Sequence, residues 1–112
     1  MKKILFLSST FLLLLSYVLT SQNQNISKAE IKTSAVCEMC KERIEKGLKK
    51  KEGIISLNLD VDTKILSLEY DSTKITLDEI RKSITKLGYD ADDLKRDPKA
   101  YKKLPKCCRI DG

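Results

Sequence analysis

The chain has 112 residues, with 22 Lys and Arg against 16 Asp and Glu, four Cys and no His. A chain of this length supports one domain at most. The absence of His excludes Ser-His-Asp and Cys-His catalytic sites and every His-ligated metal site, so any metal chemistry must use thiolates and carboxylates.

The first 21 residues have the pattern of a secretory signal peptide. Two lysines precede an apolar stretch from Ile4 to Leu19, small residues follow, and cleavage is expected near Thr20 or Ser21. An uncleaved membrane anchor is the alternative, although polar residues interrupt the stretch and leave it short for a bilayer span. We therefore expect an exported protein, periplasmic or secreted, whose four Cys reach a compartment that can oxidise them.

A strand and a helix are predicted to follow the leader. Residues 22–29 are polar and are expected to form a flexible lead-in, and residues 31–36 are expected to form the first strand. Apolar residues then recur at every fourth position from Cys40 to Leu48, which predicts a helix, and Gly53 suits the position just beyond its end.

Two stretches of alternating apolar and polar residues predict a β-hairpin over residues 54–70, with a turn at Asp62 and Thr63. The first strand of the hairpin is expected to be half-buried through its apolar residues, Ile55, Leu57, Leu59 and Val61. The second strand is expected to bury its own alternating set, Leu66, Leu68 and Tyr70.

A second helix is predicted to begin at Thr76, because Thr76 and Glu79 have the spacing of a capping box, and to end at Gly88. Residues 89–94 are the candidate last strand, although they include three Asp. The order β-α-β-β-α-β predicts an α+β fold of the ferredoxin-like type, in which two helices cover a four-stranded antiparallel sheet. This domain is expected to span residues 30–94.

Residues 95–112 are predicted to be a separate basic tail that carries two of the four Cys. They contain seven basic and two acidic residues, so the positive charge of the chain belongs to this tail and not to the folded domain. A solvated segment is the default interpretation of such a composition. Nucleic-acid binding is not expected, because the tail has one Tyr and no aromatic surface on which bases could stack.

Cys37 and Cys40 are the primary candidate metal ligands. They stand where the first strand passes into the first helix, so both can face one point. A helix N-terminus favours thiolates over thiols, and two thiolates without His suit Cu(I) and other thiophilic ions. A structural disulfide and a thiol-disulfide redox pair are the alternatives. The redox pair lacks the cis-Pro loop that usually faces such a site, because both Pro lie in the tail.

Cys107 and Cys108 are candidate accessory ligands. Four Cys allow three disulfide pairings, among which the sequence does not choose. One hypothesis is that the tail folds back and brings Cys107 or Cys108 to the first pair, where three or four thiolates would hold Cu(I) more tightly or Zn(II) tetrahedrally. The alternative is a mobile tail whose thiols are free or disulfide-linked.

The chain resembles the heavy-metal-associated domain of copper chaperones, metal-pumping ATPases and the periplasmic mercury-binding protein. The resemblance rests on Cys37-X-X-Cys40 after the first strand, on the order of the elements, and on Leu87-Gly88-Tyr89 before the candidate last strand. It implies that Tyr89 lies beside the metal loop. Met39, between the two cysteines, is near that loop and is expected to face solvent.

The resemblance also implies a function, which is binding and not catalysis. Soft metal ions would be captured or transferred through the CxxC thiolate pair, with Cu(I) expected first and Hg(II) or Zn(II) as variants of the same domain. The expected partner is a membrane metal transporter or its metal-binding domain. Contact with a membrane is expected only through an uncleaved leader. Where the family usually has Gly-Met ahead of the motif, this chain has Ser34-Ala35-Val36.

Overall fold

The structure, a computed structural model, describes residues 25–110. The predicted signal peptide lies outside these described residues. The elements in chain order are β1 (Ile26–Lys32), α1 (Glu38–Lys49), β2 (Ile54–Asp60), β3 (Ile65–Asp71), α2 (Leu77–Lys86), α3 (Pro98–Lys102) and a 3₁₀ turn (Lys106–Cys108). Within this part of the chain, every helix is too short or too polar to cross a bilayer.

The three strands form one antiparallel sheet in the order β1-β3-β2. The predicted hairpin is confirmed as β2 and β3, joined by a turn over residues 61–64 in which Lys64 has a φ of 65°. A β-bulge interrupts their register, because Ile54 pairs with Tyr70 while Ser56 pairs with the adjacent Glu69. The bulge turns Ile55 outward, so the prediction of an inward Ile55 is wrong.

β1 begins five residues earlier than predicted and ends at Lys32 instead of residue 36. It pairs with the central strand along its whole length, from Ile26 opposite Asp71 to Lys32 opposite Ile65. The backbone hydrogen bonds that β1 makes with β3 outweigh the polar composition of the first half of β1, which on its own does not predict a strand. The predicted flexible lead-in over residues 22–29 is therefore wrong from Ile26 onward.

The predicted fourth strand over residues 89–94 is absent from the described part of the chain, where only isolated bridges join Ala91 to Thr33 and to Leu94. The chain reverses there through Asp92, whose φ is 51°. The Asp92 carboxylate accepts a hydrogen bond from the backbone N–H of Lys32 at 2.9 Å. The Asp92 side chain thus satisfies a backbone N–H at the edge of β1, where a fourth strand would have paired.

Both predicted helices form. α1 ends at Lys49, and Gly53 (φ 100°) lies in the turn leading to β2, so the prediction that Gly53 directly follows the helix is wrong. α2 begins as predicted, because the Thr76 hydroxyl accepts a hydrogen bond from the N–H of Glu79 at 3.1 Å. Gly88, at a φ of 106°, ends it.

The two helices pack against one face of the sheet around an aliphatic core. Its members from the helices and strands are Ile31, Cys40, Ile44, Leu48, Leu59, Leu66, Leu68, Tyr70, Ile80 and Ile84. At the β2 edge, Glu45 accepts a hydrogen bond from the N–H of Leu59 at 2.8 Å, and Lys41 donates to the Leu59 carbonyl at 2.9 Å. These contacts fix α1, and with it the start of that helix, relative to the sheet.

The C-terminal segment, residues 95–110, packs against the domain, so the prediction of a separate tail is wrong. Its N–H at Asp97 donates to the carbonyl of Thr85 at 3.0 Å, and the Asp97 carboxylate caps α3. Leu104 and Cys108 are buried in the same core as the helices. The segment is thereby held across the end of α2 and reaches the start of α1.

Gly88→Ala should destabilise the protein by roughly 1–3 kcal/mol, because a Cβ would be forced into the left-handed region. It would also lie 3.1 Å from the backbone of Ala100 and from the Leu104 side chain. Urea unfolding monitored by circular dichroism measures the change. Lys86→Ala, at an exposed position of the same helix, is the control and should stay within about 0.5 kcal/mol of wild type. Equal stability of the two variants would contradict this account of the C-terminal packing.

Candidate metal centre

Two buried hydroxyl groups hold the connection between β1 and α1. The Thr33 hydroxyl donates to the carbonyl of Lys64 at 2.9 Å and accepts from the N–H of Ala35 at 3.2 Å. The Ser34 hydroxyl accepts from the N–H of Asp90 at 2.9 Å. The connection is thus attached both to the hairpin turn and to the segment after α2, which sets the position of the cysteine that follows it.

Cys37 and Cys40 face each other at the start of α1. Cys37 is the N-cap residue, in an extended conformation (φ −153°, ψ 172°), and its carbonyl accepts from the N–H groups of Cys40 and Lys41 at 3.0 and 3.2 Å. The two Sγ atoms are 3.2 Å apart, without a disulfide. Cys40 is fully buried and Cys37 is partly exposed. The pair therefore meets at one point, at the positive end of the helix dipole.

Cys108 joins this pair from the C-terminal segment. Its Sγ lies 3.8 Å from that of Cys37, and the three sulfur atoms of Cys37, Cys40 and Cys108 all lie within 4.8 Å of one another. Cys108 is 1% exposed. Of the two tail cysteines between which the sequence did not choose, the structure brings Cys108 to the cluster.

Cys107 lies outside the cluster. Its side chain is exposed, and its Sγ is 3.7 Å from the Sδ of Met39. Met39 is 46% exposed and faces solvent on the surface of α1, as expected. The adjacent cysteines thus point to different environments, one in the core and one at the surface.

The thiols of Cys37 and Cys108 differ in acidity. Burial raises the pKa of Cys37, but hydrogen bonds from the side chain and backbone of Cys40 and from Cys108 outweigh it and lower the pKa overall. Burial, with smaller contributions from the other two thiols, raises the pKa of Cys108 to about 12. In the metal-free protein, the negative charge therefore resides more readily on Cys37 than on Cys108.

Tyr89 closes the inner side of the cluster. Its side chain is 1% exposed, and its hydroxyl has no hydrogen-bond partner among the described residues. Burial raises the pKa of Tyr89, and the neighbouring thiols of Cys108 and Cys40 raise it further. The protonated Tyr89 hydroxyl thus lies beside two sulfur atoms, with its O–H available as a hydrogen-bond donor. A sulfur atom becomes a stronger hydrogen-bond acceptor when its thiol loses the proton.

The donor set suits a soft ion. The group consists of three sulfur atoms, and Glu38, the carboxylate nearest in sequence, is exposed. Thiolates select Cu(I) and related ions, whereas carboxylates and water select harder ones. Three sulfurs about 2.3 Å from an ion in their plane would be roughly 4 Å apart. The measured Sγ–Sγ distances of 3.2 and 3.8 Å are close to that value.

Comparison with known proteins points to a metal-binding domain, as the sulfur cluster does. Residues 32–90 match the family model of the heavy-metal-associated domain. The copper chaperone CopZ of Staphylococcus epidermidis is 32% identical over 54 residues, which cover 48% of this chain and 79% of that protein.

Two solved structures share the fold. The N-terminal domain of a potential copper-translocating P-type ATPase from Bacillus subtilis, solved in the Cu(I)-loaded state, has a TM-score of 0.57 and 28% identity, over 60% of this chain and 85% of that one. Oxidized MerP from Ralstonia metallidurans CH34 has a TM-score of 0.51 at 19% identity, over 59% of this chain and 96% of its own. At that identity the likeness to MerP concerns the fold alone.

In the reduced, metal-free protein, iodoacetamide should alkylate Cys37 before Cys108 at and below neutral pH. A lowered pKa leaves more thiolate at a given pH, and the thiolate is the reactive form. Cys108 combines a pKa of about 12 with burial, so it should stay unmodified. Fragmentation mass spectrometry measures both rates, and the difference should vanish in denaturant. Faster modification of Cys108 in the folded protein would contradict the arrangement.

Proposed function

The chain belongs to the heavy-metal-associated domain family, and on this basis we propose that it captures Cu(I) through the thiolates of Cys37 and Cys40. The observation that carries the proposal is the approach of the two Sγ atoms to 3.2 Å at the N-terminus of α1. The dipole and free amides of a helix N-terminus stabilise the charge of thiolates. The activity is binding, with no covalent turnover.

Cu(I) is the ion that the donor set and the relatives favour together. Thiolates without His or carboxylate partners are soft ligands. The relative from Staphylococcus epidermidis is a copper chaperone, and the domain from Bacillus subtilis was solved with Cu(I) bound. Structural Zn(II) sites almost always use four protein ligands, and the cluster offers three. Hg(II) shares the preference for thiolates and is the second candidate ion.

Transfer of the ion begins at Cys37 in this proposal. Cys37 is the most accessible sulfur of the cluster, whereas Cys40 and Cys108 are buried. An incoming thiolate of a partner would therefore bind the ion from the Cys37 side and displace these ligands in turn. The proposed partner is the metal-binding domain of a membrane metal transporter, because the likeness to a P-type ATPase domain extends over 60% of this chain.

The place of action that we propose is outside the cytoplasm. The support is the N-terminal pattern of two lysines, an apolar stretch and small residues near Thr20 and Ser21. In an oxidising compartment the metal-free thiols are at risk of disulfide formation, and a bound Cu(I) ion would occupy the sulfur atoms that would otherwise pair.

Replacing Cys37 and Cys40 together by Ser should abolish Cu(I) binding, because a hydroxyl is a hard donor and does not replace a thiolate. Anaerobically reduced wild type is expected to hold one Cu(I) per chain, measured by metal analysis after gel filtration and by competition with a chromogenic Cu(I) chelator. Cys107→Ser, which removes the exposed thiol outside the cluster, is the matched control and should bind as wild type does. Full Cu(I) affinity in the Cys37→Ser/Cys40→Ser variant would refute the proposal.

The same preparation separates the metal function from a redox function. A thiol-disulfide oxidoreductase would reduce a test disulfide and cycle between Cys37–Cys40 thiol and disulfide states without retaining metal. We expect copper retention and no such turnover. Disulfide reduction by a protein that binds no Cu(I), Hg(II) or Zn(II) would favour the redox function.

Expression of the full chain should yield an exported form that lacks roughly the first 20 residues, as signal-peptide processing requires. Intact-mass spectrometry of periplasmic or secreted and of membrane fractions measures the cut site. A variant in which Leu12 and Leu14 are replaced by Asp, which interrupts the apolar stretch, is the control and should remain unprocessed. Full-length protein recovered from membranes would instead indicate an uncleaved anchor.

A further inference from the structure

The CxxC motif accounts for only two of the three sulfur atoms in the cluster. The third, from Cys108, lies 71 positions from Cys37 along the chain, yet its Sγ is 3.8 Å from that of Cys37. The family match ends at residue 90. Cys108 therefore reaches the site from a part of the chain that the family match does not include.

The packing of the C-terminal segment holds Cys108 in this position. Leu104 is buried in the core, and the Cys108 N–H donates to the carbonyl of Pro105 at 2.9 Å within the 3₁₀ turn. At the other end of the segment, Asp97 is bonded to Thr85 at the end of α2. A buried thiol held by these contacts is pre-positioned, so little ordering would remain to be done when it binds an ion.

The spacing of the sulfurs matches a planar three-coordinate site. Three thiolates about 2.3 Å from one ion in their plane stand roughly 4 Å apart. The Cys37–Cys108 distance of 3.8 Å is already close to this, and the Cys37–Cys40 distance of 3.2 Å needs to open by less than 1 Å. A two-coordinate ion held by Cys37 and Cys40 would have the Cys108 sulfur beside it as an unused donor.

Within residues 25–110, one polar group beside the cluster and one on the residue after Cys108 lack a hydrogen-bond partner. The Tyr89 hydroxyl, beside Cys40 and Cys108, is buried without a hydrogen bond, and so is the Nε–H of Arg109, the residue after Cys108. Burying a donor without an acceptor is energetically costly. Thiolate sulfurs would supply acceptor capacity for the Tyr89 hydroxyl.

We propose that Cys108 is a third thiolate ligand and that this chain holds Cu(I) in a three-coordinate Cys37/Cys40/Cys108 site. The inference rests on the proposed Cu(I) function and adds its coordination. On loading, each of the three thiols loses its proton to solvent and forms one Cu–S bond, while copper stays Cu(I) and no electron is exchanged. The site would bear a net charge of −2, next to the N-terminus of α1.

The third ligand slows the release of Cu(I) from the site. A partner with two thiolates replaces two Cu–S bonds but leaves the third to be broken, and Cys108 leaves the ion only if the C-terminal segment moves. We expect the chain to take Cu(I) from two-thiolate donors readily and to pass it to a two-thiolate partner more slowly, because that transfer requires the C-terminal segment to move. Loss of Cys108 should speed release to two-thiolate acceptors and leave uptake unchanged.

Copper K-edge X-ray absorption of the anaerobically loaded protein tests the coordination directly. We expect three sulfur neighbours in wild type and in Cys107→Ser, and two sulfur neighbours with a shorter mean Cu–S distance in Cys108→Ser. Cys107→Ser is the matched control, because it removes the adjacent thiol without touching the cluster. In chelator competition, Cys108→Ser should bind Cu(I) at least about tenfold more weakly, since even loss of an outer-shell partner typically weakens metal affinity by that factor.

The outcomes separate the two proposals. Wild type that binds one Cu(I) with two sulfur neighbours overturns the three-coordinate site and leaves the Cu(I) function intact. Wild type with fully reduced thiols that binds no Cu(I) overturns the function itself. The wild-type coordination number does not depend on any variant, so the test stands even if Cys108→Ser loosens the C-terminal segment, which circular dichroism would reveal.

Discussion

The candidate centre depends on how the connection between β1 and α1 is held, and two buried hydroxyl groups hold it. Thr33 ties the connection to the hairpin turn at Lys64, and Ser34 ties it to the chain after α2 at Asp90. Three parts of the chain that are distant in sequence thus meet at one short loop. A buried hydroxyl that loses its partner costs about 1–3 kcal/mol, so the loop has one well-defined conformation. The position of the first sulfur atom follows from that conformation.

The elements that the sequence predicts well are those whose signals are local. The hairpin alternates apolar and polar residues, and the start of α2 has a hydroxyl and an acidic residue at the right spacing. The start of β1 and the absence of a fourth strand have no such signal. β1 forms because it pairs with β3. No fourth strand forms over residues 89–94, where the Asp92 carboxylate accepts the hydrogen bond of the Lys32 N–H at the edge of β1. Both outcomes depend on contacts between segments about 40 to 60 residues apart.

The same distinction applies to the candidate centre. Cys37 and Cys40 are three positions apart at one helix start, so their approach is a local property that the spacing predicts. The choice of Cys108 over Cys107 depends on the burial of Leu104 and on the 3₁₀ turn. The sequence signal for that packing is weak, because the few apolar side chains of the segment, such as Tyr101 and Leu104, stand among lysines. The hydroxyl groups of the β1–α1 connection were missed because small polar residues seldom mark a buried position.

The long separation between Cys37 and Cys108 has a further consequence. An ion held by both sulfurs would act as a reversible cross-link that closes a loop of about 71 residues. In the chain-entropy model, a covalent closure of such a loop stabilises the folded state by roughly 4 kcal/mol. Loading and folding would then be one linked equilibrium, and the C-terminal segment would be the first part to fray when the ion leaves. Metal occupancy would thus decide how long the chain survives among proteases.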